Sequence, residues 1–384
     1  MEISGYCEEK FSKVKKVFEK NLNDGKECGA SFSVTIEGKT VIDLWGGYAD
    51  AAKTKPWQKD TIVNVYSTTK CATAICVLML ADKKIIDIDA PVADYWPEFA
   101  QSGKEKITIG HLLSHTAGLP GFDETLDNKD YYNWEKVTEA LSRQKPWWDD
   151  RKRSGYHSVT FGFLLGEVLK RVSKKSIGRF LKEEITSPLD IDFYIGISDL
   201  ERPRVAELIP LKRTFFLKFM ERMMLFILRN TFFTQVSTNP ITTVEDVMSK
   251  EWQSAEIPAA NGHGNAGAVA KIGAILANGG ELDGVRFLSR EIIEKTLESR
   301  TEGKDLVLGV PIKFGLGFAI NDGGLMKKTC PNPRTLYWGG YGGSICIADL
   351  DEKMSIGYVM NKLGYKNVGD PRAGRLIKAV YSSL

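Results

Sequence analysis

The chain has 384 residues, with 52 Lys plus Arg against 49 Asp plus Glu, a net charge of +3, and 43% hydrophobic residues. This length suffices for one large domain or two medium ones whose core needs no disulfide or metal, and the near-neutral charge gives no electrostatic reason to expect nucleic acid as a partner. No apolar run reaches the roughly 18–20 residues of a transmembrane helix, and we expect no secretory signal.

The cysteines and histidines indicate neither a disulfide framework nor a metal site. Six cysteines are spread along the chain without a C-x-x-C pair, so we expect buried free thiols. His111 and His115 have the spacing of a zinc helix, but the glutamate of H-E-x-x-H is missing. We expect a cytoplasmic protein, with peroxisome and mitochondrion left open, because Ser382-Ser383-Leu384 is only distantly similar to S-K-L.

Periodicity predicts a β-rich beginning that leads into a buried helix. Residues 8–21 have the apolar spacing of an amphipathic helix, and Ser31–Ile36 and Thr40–Leu44 follow as a β-hairpin. Ile62–Tyr66 is a short strand before Ser67–Asp82, a helix that is apolar nearly all round and therefore buried. Further helices are predicted at 109–115, 134–143, 161–172, 177–185, 214–229, 267–276 and 291–297.

Strands return near the C-terminus, so the two ends of the chain can meet in one sheet. The predicted strands are Phe314–Ile320, Ser344–Ala348 and Met354–Met360, and the helix Pro371–Tyr381 follows them. We predict a single unit over 1–384. Its mixed α/β part comprises 1–66 and 310–384, and its mainly helical part, 67–309, is inserted between them.

A serine and a lysine one helical turn apart can act as a nucleophile and its base, because the two side chains share a helix face. The pattern S-x-x-K occurs at Ser12/Lys15, Ser67/Lys70 and Ser142/Lys145. Only Ser67 follows a strand and opens a buried helix, whose N-terminal N–H groups can stabilise an oxyanion. Capping of that helix by Ser67 is the alternative.

A serine nucleophile also needs a group that protonates the leaving group, and a tyrosine can serve. Tyr131 and Tyr156 each have a polar residue two positions later. Tyr156 precedes an apolar helix and Tyr131 a charged one, so Tyr156 is favoured, with packing at a domain edge as the alternative for both.

Two glycine-rich stretches could approach a ligand closely. Tyr337–Ser344 (YWGGYGGS) precedes a strand, where glycines admit a substrate to the strand edge and a second oxyanion N–H is available. By itself this pattern favours a glycine-rich entry to a hairpin. Gly262–Gly267 matches G-x-G-x-x-G, but no β-run precedes it, so we interpret it as a glycine-rich entry to a helix rather than a dinucleotide site.

Taken together, these elements resemble the serine β-lactamase and penicillin-binding-protein superfamily, in particular its class C-like branch with the family VIII carboxylesterases and the β-lactamase-like proteins of animals. The resemblance covers about residues 30–380, in the order of that family: IVNVYSTTK, PVADYWPEF, ITIGHLLSHTAGLP, GYHSVTFGFLLGEVL, GHGNAGAVAKIGAILANGG and YWGGYGGSICIADLDEKMSIGYVMN. It implies an α/β (α+β) fold, an antiparallel sheet flanked by helices with an inserted helical domain.

The resemblance also implies the roles of individual residues. Ser67 is the nucleophile that accepts the acyl group, Lys70 is its activating partner, and Tyr156 relays the proton. Because the base role is shared in such sites, we treat Lys70 and Tyr156 as a coupled pair. The backbone N–H groups of Ser67 and Tyr341 form the oxyanion hole, and the reaction needs no metal or organic cofactor.

Two departures from the lactamase pattern favour neutral esters. Ser158 stands where lactamases usually have Asn, and Trp338-Gly339-Gly340 stands where they have Lys-Thr-Gly or a histidine variant. These four residues are the implied substrate contacts, and the lysine charge that helps to bind a β-lactam carboxylate is absent from them. Residues 151–153 (RKR) could restore a positive field, although a solvated loop is the favoured interpretation.

The sequence therefore predicts a serine hydrolase that acts on small carboxylic esters. Amide or peptide hydrolysis at a D-residue, β-lactam hydrolysis, and a non-catalytic scaffold with a vestigial site are the alternatives. The helix at 214–229 has one broad apolar face, which could roof an acyl pocket, touch a membrane surface or simply pack on the helical part. Neither the oligomeric state nor the physiological substrate follows from the sequence.

Overall fold

A computed structural model describes residues 2–211, 231–324, 326, 329–364 and 369–384. The main sheet consists of β1 (Ile3–Cys7), β2 (Gly29–Ile36), β3 (Lys39–Gly47), β9 (Thr301–Lys304), β10 (Pro311–Phe314), β11 (Ala319–Ile320), β12 (Thr335–Gly339), β13 (Ile345–Asp349) and β14 (Met354–Met360). These nine strands are antiparallel, in the order β1-β3-β2-β14-β13-β12-β11-β10-β9. Pairing of β2 with β14 joins the two ends of the chain in one sheet, as the alternating patterns predict.

Smaller β elements lie outside this sheet. Three short strands, β4 (Val63–Asn64), β6 (Gly262–Gly264) and β5 (Phe193–Ile195), form a second antiparallel sheet, and β7 (Glu281–Leu282) pairs with β8 (Val285–Arg286). The strand β4 leads directly into the predicted catalytic helix, so this small sheet fixes the backbone just before Ser67.

Helices cover both faces of the main sheet. The first and last helices, α1 (Ser12–Asn23) and α12 (Pro371–Tyr381), pack together, and α10 (Ala266–Ala277) packs on β14, β2 and β13. Neighbouring residues of β14 point to opposite faces. A Cβ on Gly357 would lie 2.3 Å from the Ala266 carbonyl oxygen, whereas the Tyr358 hydroxyl contacts Glu27 beside α12. The sheet is therefore the middle of three layers.

The helix α2 (Thr69–Asp82) is buried at every residue from Thr69 to Leu80. The other α-helices in the described part of the chain are α3 (Ile109–Leu113), α4 (Trp134–Arg143), α5 (Thr160–Ser173), α6 (Ile177–Leu181), α7 (Phe232–Thr238), α8 (Val244–Val247), α9 (Lys250–Ser254) and α11 (Arg290–Thr296). The nearly uniform apolar pattern of α2 is satisfied by packing against α5, α6, α10, α11 and β12.

The structure corrects two local predictions. The single strand predicted at Phe314–Ile320 is two strands, because residues 315–318 form a tight turn that pairs Phe314 with Ala319. Gly317 has φ of +86°, a conformation that favours glycine. The glycine-rich stretch Gly262–Gly267 does enter a helix, with Asn265 as N-cap, but its first residues also form the strand β6.

The helix predicted at 214–229 lies outside the described residues, so its packing and its membrane contact stay predictions. Among the residues that the structure describes, no helix is long and apolar enough to cross a membrane. The strand β9 and the helix α10, which contact the main sheet, come from the stretch 67–309 that the sequence pattern makes mainly helical.

Candidate active site

Ser67 lies in a tight turn between β4 and α2, where the backbone is strained. Tyr66 has φ of +47°, in the left-handed region, and such a residue costs on the order of 1–3 kcal/mol that its surroundings must offset. The Thr69 hydroxyl holds the turn, since it donates to the Tyr66 carbonyl at 2.5 Å and accepts the Gly262 N–H at 2.8 Å. The N-cap position belongs to Thr68, so capping by Ser67 is wrong.

Lys70 is buried directly beneath Ser67. Its Nζ lies 3.3 Å from Ser67 Oγ, 2.5 Å from the Ser158 carbonyl oxygen and 3.0 Å from that of Ala259. Burial lowers the pKa of Lys70 well below its usual value. A neutral amine has two N–H donors and one lone pair. With both donors on the two carbonyls, the lone pair is left for the serine hydroxyl.

Tyr156 completes the cluster from the start of the next apolar helix. Its hydroxyl accepts a 3.1 Å hydrogen bond from Trp338 Nε1, and its ring lies over Lys70 Nζ with the centroid 4.7 Å away. Burial raises the pKa of Tyr156 against the opposing effect of its polar neighbours Ser67 and Trp338, so the phenol is neutral near pH 7.

Two buried histidines and a carboxylate hold the tyrosine segment. The Tyr156 N–H donates to Asp305 Oδ1 at 3.0 Å, and the His157 N–H donates to His115 Nδ1 at 3.1 Å. His157 Nε2 in turn accepts the Leu119 N–H at 3.1 Å. Burial lowers the pKa of His115 well below its usual value and that of His157 to about 3, so both rings are neutral acceptors. The His115 ring also packs against the Tyr156 ring, with the two centroids 5.0 Å apart.

The glycine-rich turn after β12 closes the site above Ser67. The Ser344 hydroxyl donates to the Val65 carbonyl at 2.8 Å and lies 2.9 Å from Thr68 Oγ1, which ties the turn to the start of α2. A Cβ on Gly340 would lie 2.1 Å from the Val65 oxygen, so only glycine permits this approach. In the described part of the chain, no acceptor is hydrogen-bonded to the N–H of Ser67 or of Tyr341.

The other sequence candidates lie elsewhere. Ser12 and Lys15 are exposed on α1, and Ser142 is buried with its hydroxyl on the Glu139 carbonyl while Lys145 is exposed. Tyr131 is buried against Phe163 and Trp252. Only the set Ser67, Lys70 and Tyr156 is brought together, with Trp338, Gly339 and Gly340 beside it.

The side chains of Ser158 and of the basic loop at 151–153 have no hydrogen bond to Ser67, Lys70 or Tyr156 among the described contacts. Ser158 contacts Lys70 through its carbonyl oxygen, and its side chain is half-buried. In the loop at 151–153, Arg153 is paired with Asp150, and Arg151 donates to the Gly103 carbonyl at 3.2 Å. This arrangement fits the favoured interpretation of a solvated loop. Among the described residues, no cluster of metal-ligating side chains occurs.

Sequence reasoning missed the residues that support the site. Thr69 and Ser344 fix the two turns around Ser67, and Asp305 holds Tyr156, from 149 residues further along the chain. A hydroxyl residue at a helix start and a serine that ends a glycine run are local signals for the first two. No local signal marks Asp305, because its role depends on a contact between distant segments.

The chain matches a known protein family over nearly its whole length. The family model Beta-lactamase matches residues 14–380. The chain belongs to the beta-lactamase family. The fold and the superfamily resemblance inferred from the sequence are therefore confirmed.

Several individual proteins are similar to this chain over nearly its full length. Esterase/beta-lactamase LipL of Mycobacterium tuberculosis (strain ATCC 25618 / H37Rv) is 32% identical over 369 residues, which cover 94% of this chain and 83% of LipL. A family VIII carboxylesterase of known structure is 40% identical with a TM-score of 0.92, covering 100% of both chains. A penicillin-binding protein homologue from Caulobacter crescentus is 37% identical with a TM-score of 0.88, also over 100% of both.

Proposed function

We propose that this serine hydrolase is a carboxylesterase that cleaves small neutral esters through an acyl-enzyme on Ser67. The observation behind the proposal is the contact of Ser67 Oγ with the buried amine of Lys70 at 3.3 Å. Among the described residues, the backbone N–H groups of Ser67 and Tyr341 have no acceptor and are available to an oxyanion. The names of similar proteins, esterase/beta-lactamase LipL and a family VIII carboxylesterase, support the same activity.

In the proposed acylation step, Ser67 Oγ attacks the ester carbonyl and its proton passes to the Lys70–Tyr156 pair. The negative charge that develops on the carbonyl oxygen is stabilised by the N–H groups of Ser67 and Tyr341. The pair then returns the proton to the leaving alkoxide through the Tyr156 hydroxyl, and the alcohol departs. The Tyr156 ring lies over Lys70 Nζ, which is itself 3.3 Å from Ser67 Oγ, and this places the phenol next to the group that must lose and regain the proton.

Deacylation repeats these steps with water in place of the serine. Water attacks the acyl-enzyme carbonyl, loses a proton to the same pair, and Ser67 Oγ leaves with that proton restored. The products are a carboxylic acid and the regenerated enzyme, so atoms and charges balance without a cofactor.

The preference for neutral esters rests on Trp338. This residue occupies the place where the resembling lactamases have a cation, and its buried indole N–H is already used by the Tyr156 hydroxyl. It therefore offers no charge to a substrate carboxylate. The other proposed substrate contacts are the Ser158 hydroxyl and the backbone of Gly339 and Gly340. The Ser158 side chain is shorter than the asparagine that lactamases usually have at this place.

The first experiment labels the protein with a fluorophosphonate probe and locates the adduct by mass spectrometry, with turnover of p-nitrophenyl butyrate measured in parallel. We expect the adduct on Ser67, and Ser67→Ala should lower kcat by at least about 10⁴-fold. Ser12→Ala, at another S-x-x-K pattern, is the matched control and should keep full turnover. Equal turnover in Ser67→Ala and the unaltered protein would rule out the proposal.

Nitrocefin and a D-alanyl anilide, assayed with the same preparation, test the alternatives. A kcat/KM for either that exceeds the value for p-nitrophenyl butyrate would replace the esterase assignment by a β-lactamase or an amidase. Absence of both labelling and turnover would favour a scaffold protein.

We also propose a cytoplasmic location and the division of the chain into 1–66 with 310–384 and 67–309. The location is supported by the six cysteines, which are all free thiols, as is typical of a reducing compartment.

A further inference from the structure

A buried cluster of charged side chains lies behind the glycine-rich turn. Arg372 Nη1 donates to Glu27 Oε2 at 3.0 Å, and its Nε and Nη2 donate to the two oxygens of Asp370 at 3.0 and 2.9 Å. The side chains of Arg372, Glu27 and Asp370 are 8%, 1% and 3% exposed. Removing ions from water on this scale is expensive, so the position of the cluster calls for a physical explanation.

The cluster contacts the glycine-rich turn that contains the Tyr341 N–H, the second proposed oxyanion donor. Arg372 Nη2 donates to the Gly342 carbonyl at 2.6 Å. A Cβ on Gly343 would lie 2.7 Å from Asp370 Oδ2, and one on Gly364 would lie 2.5 Å from Arg372 Nη2. Gly343 of YWGGYGGS and Gly364 therefore make room for the ion pair.

From the Gly342 carbonyl a chain of hydrogen bonds continues to the site. The peptide group that contains this carbonyl also contains the Gly343 N–H, which donates to the Gly340 carbonyl at 3.1 Å. The peptide group of that second carbonyl contains the Tyr341 N–H. We propose that Arg372 is a positioning residue of the oxyanion hole, acting on the Tyr341 N–H through these two peptide groups.

The physical basis is the polarisation of one hydrogen bond by the next. A charged donor on a carbonyl oxygen draws electrons from its peptide group, so the N–H of the same group becomes a stronger donor. Two such steps in a buried, low-dielectric environment strengthen the Tyr341 N–H and also fix its direction. The inference rests on the proposed function, since it assumes that an oxyanion forms at Ser67.

The test measures the oxyanion itself. An alkyl trifluoromethyl ketone labelled with ¹³C at the carbonyl adds to a nucleophilic serine as a hemiketal, and a ¹³C NMR titration gives the pKa of its hydroxyl. We expect Asp370→Asn with Arg372→Gln, which keeps the net charge of the pair, to raise that pKa by about one unit and lower kcat/KM about tenfold, because the charged donor is lost.

Asp370→Asn alone keeps Arg372 and removes one of its counter-charges, so we expect the hemiketal pKa to fall. A fall in the hemiketal pKa distinguishes the proposal from a general loosening of the turn, which would raise it. This measurement remains decisive even if the double variant does not fold. Tyr358→Phe is the control, because its hydroxyl contacts Glu27 and not Arg372; it should lower thermal stability and leave the hemiketal pKa unchanged.

A hemiketal with the same pKa in all four proteins would overturn the role of Arg372 and leave the esterase proposal intact, as would a rise in Asp370→Asn. Failure of the unaltered protein to form a hemiketal on Ser67 would instead overturn the proposed function.

Discussion

Two buried lysines of this protein, Lys70 and Lys104, each contact two carbonyl oxygens and an aromatic ring, but among the described residues only Lys70 also contacts a hydroxyl. Lys70 Nζ lies near the carbonyl oxygens of Ser158 and Ala259, at 2.5 and 3.0 Å, and under the Tyr156 ring. Lys104 Nζ lies 2.6 Å from the Gln144 carbonyl oxygen and 2.9 Å from that of Gln101, with the Phe99 ring centroid 5.2 Å away.

Burial lowers the pKa of both lysines, well below the usual value for Lys70 and to about 8 for Lys104. The difference is the third neighbour, since Lys70 also reaches Ser67 Oγ, whereas Lys104 has no hydroxyl among the hydrogen-bond partners described for it. A lowered lysine pKa is therefore a consequence of burial alone, whereas a role in catalysis also requires a hydroxyl within reach of the amine.

The largest expected effect is a loss of kcat when Lys70, but not Lys104, is replaced. Lys70→Met should lower kcat for p-nitrophenyl butyrate by about 10³–10⁴-fold, because the serine loses its base. Lys104→Met removes an equally buried amine and should leave kcat within about threefold. Steady-state kinetics on both variants, with circular dichroism to confirm that each is folded, checks the prediction.

If Lys104→Met loses as much activity as Lys70→Met, the effect is one of packing and the assignment of Lys70 as a base is wrong.

A smaller effect is expected from making the ring beside Lys70 resemble the ring beside Lys104. Tyr156→Phe removes the hydroxyl that accepts the hydrogen bond from Trp338, and it should lower kcat by about 10²-fold, because proton delivery to the leaving oxygen is impaired. Esters with a less basic leaving group, such as p-nitrophenyl rather than ethyl esters, should be less affected. A loss that is equal for both leaving groups would contradict the relay.

Trp338→Phe is the matched variant for this measurement. It keeps the Tyr156 hydroxyl and removes only the donor to it, so we expect a loss of about threefold to tenfold.

The smallest effect concerns stability rather than rate. The pKa of Lys104 is about 8 in the folded protein and about 10.5 in an unfolded chain. Between these values the unfolded state binds the extra proton, so this lysine makes the free energy of unfolding rise with pH, by at most about 3 kcal/mol. Urea unfolding at pH 8 and pH 10 should show a steeper rise for the unaltered protein than for Lys104→Met.

Subtraction of the two pH profiles removes the contributions of tyrosines and cysteines that titrate over the same range. Parallel profiles would mean that Lys104 titrates as it does in water.

How much of the site could be predicted differs from residue to residue. The turn of helix that places Lys70 near Ser67 is a local property, and so is the apolar pattern that buries α2. The prediction of one strand at Phe314–Ile320 was wrong for an equally local reason, since the period-two pattern of its apolar residues hid a turn at residues 315–318. Asp305 and Arg372 could not be predicted, because the contact of Asp305 with Tyr156 and those of Arg372 with Glu27 and Gly342 join segments that are far apart in the sequence.

From the amino-acid sequence we could infer the β-rich ends, the buried central helix, the superfamily and the three candidate residues Ser67, Lys70 and Tyr156. Periodicity, helical spacing and characteristic motifs are all properties of neighbouring residues. The folded chain was needed to show which carbonyl oxygens accept hydrogen bonds from Lys70, that Trp338 donates to Tyr156, and that Arg372 contacts the turn at Tyr341 through the Gly342 carbonyl. These depend on burial and on the direction of individual hydrogen bonds, which packing of distant segments fixes.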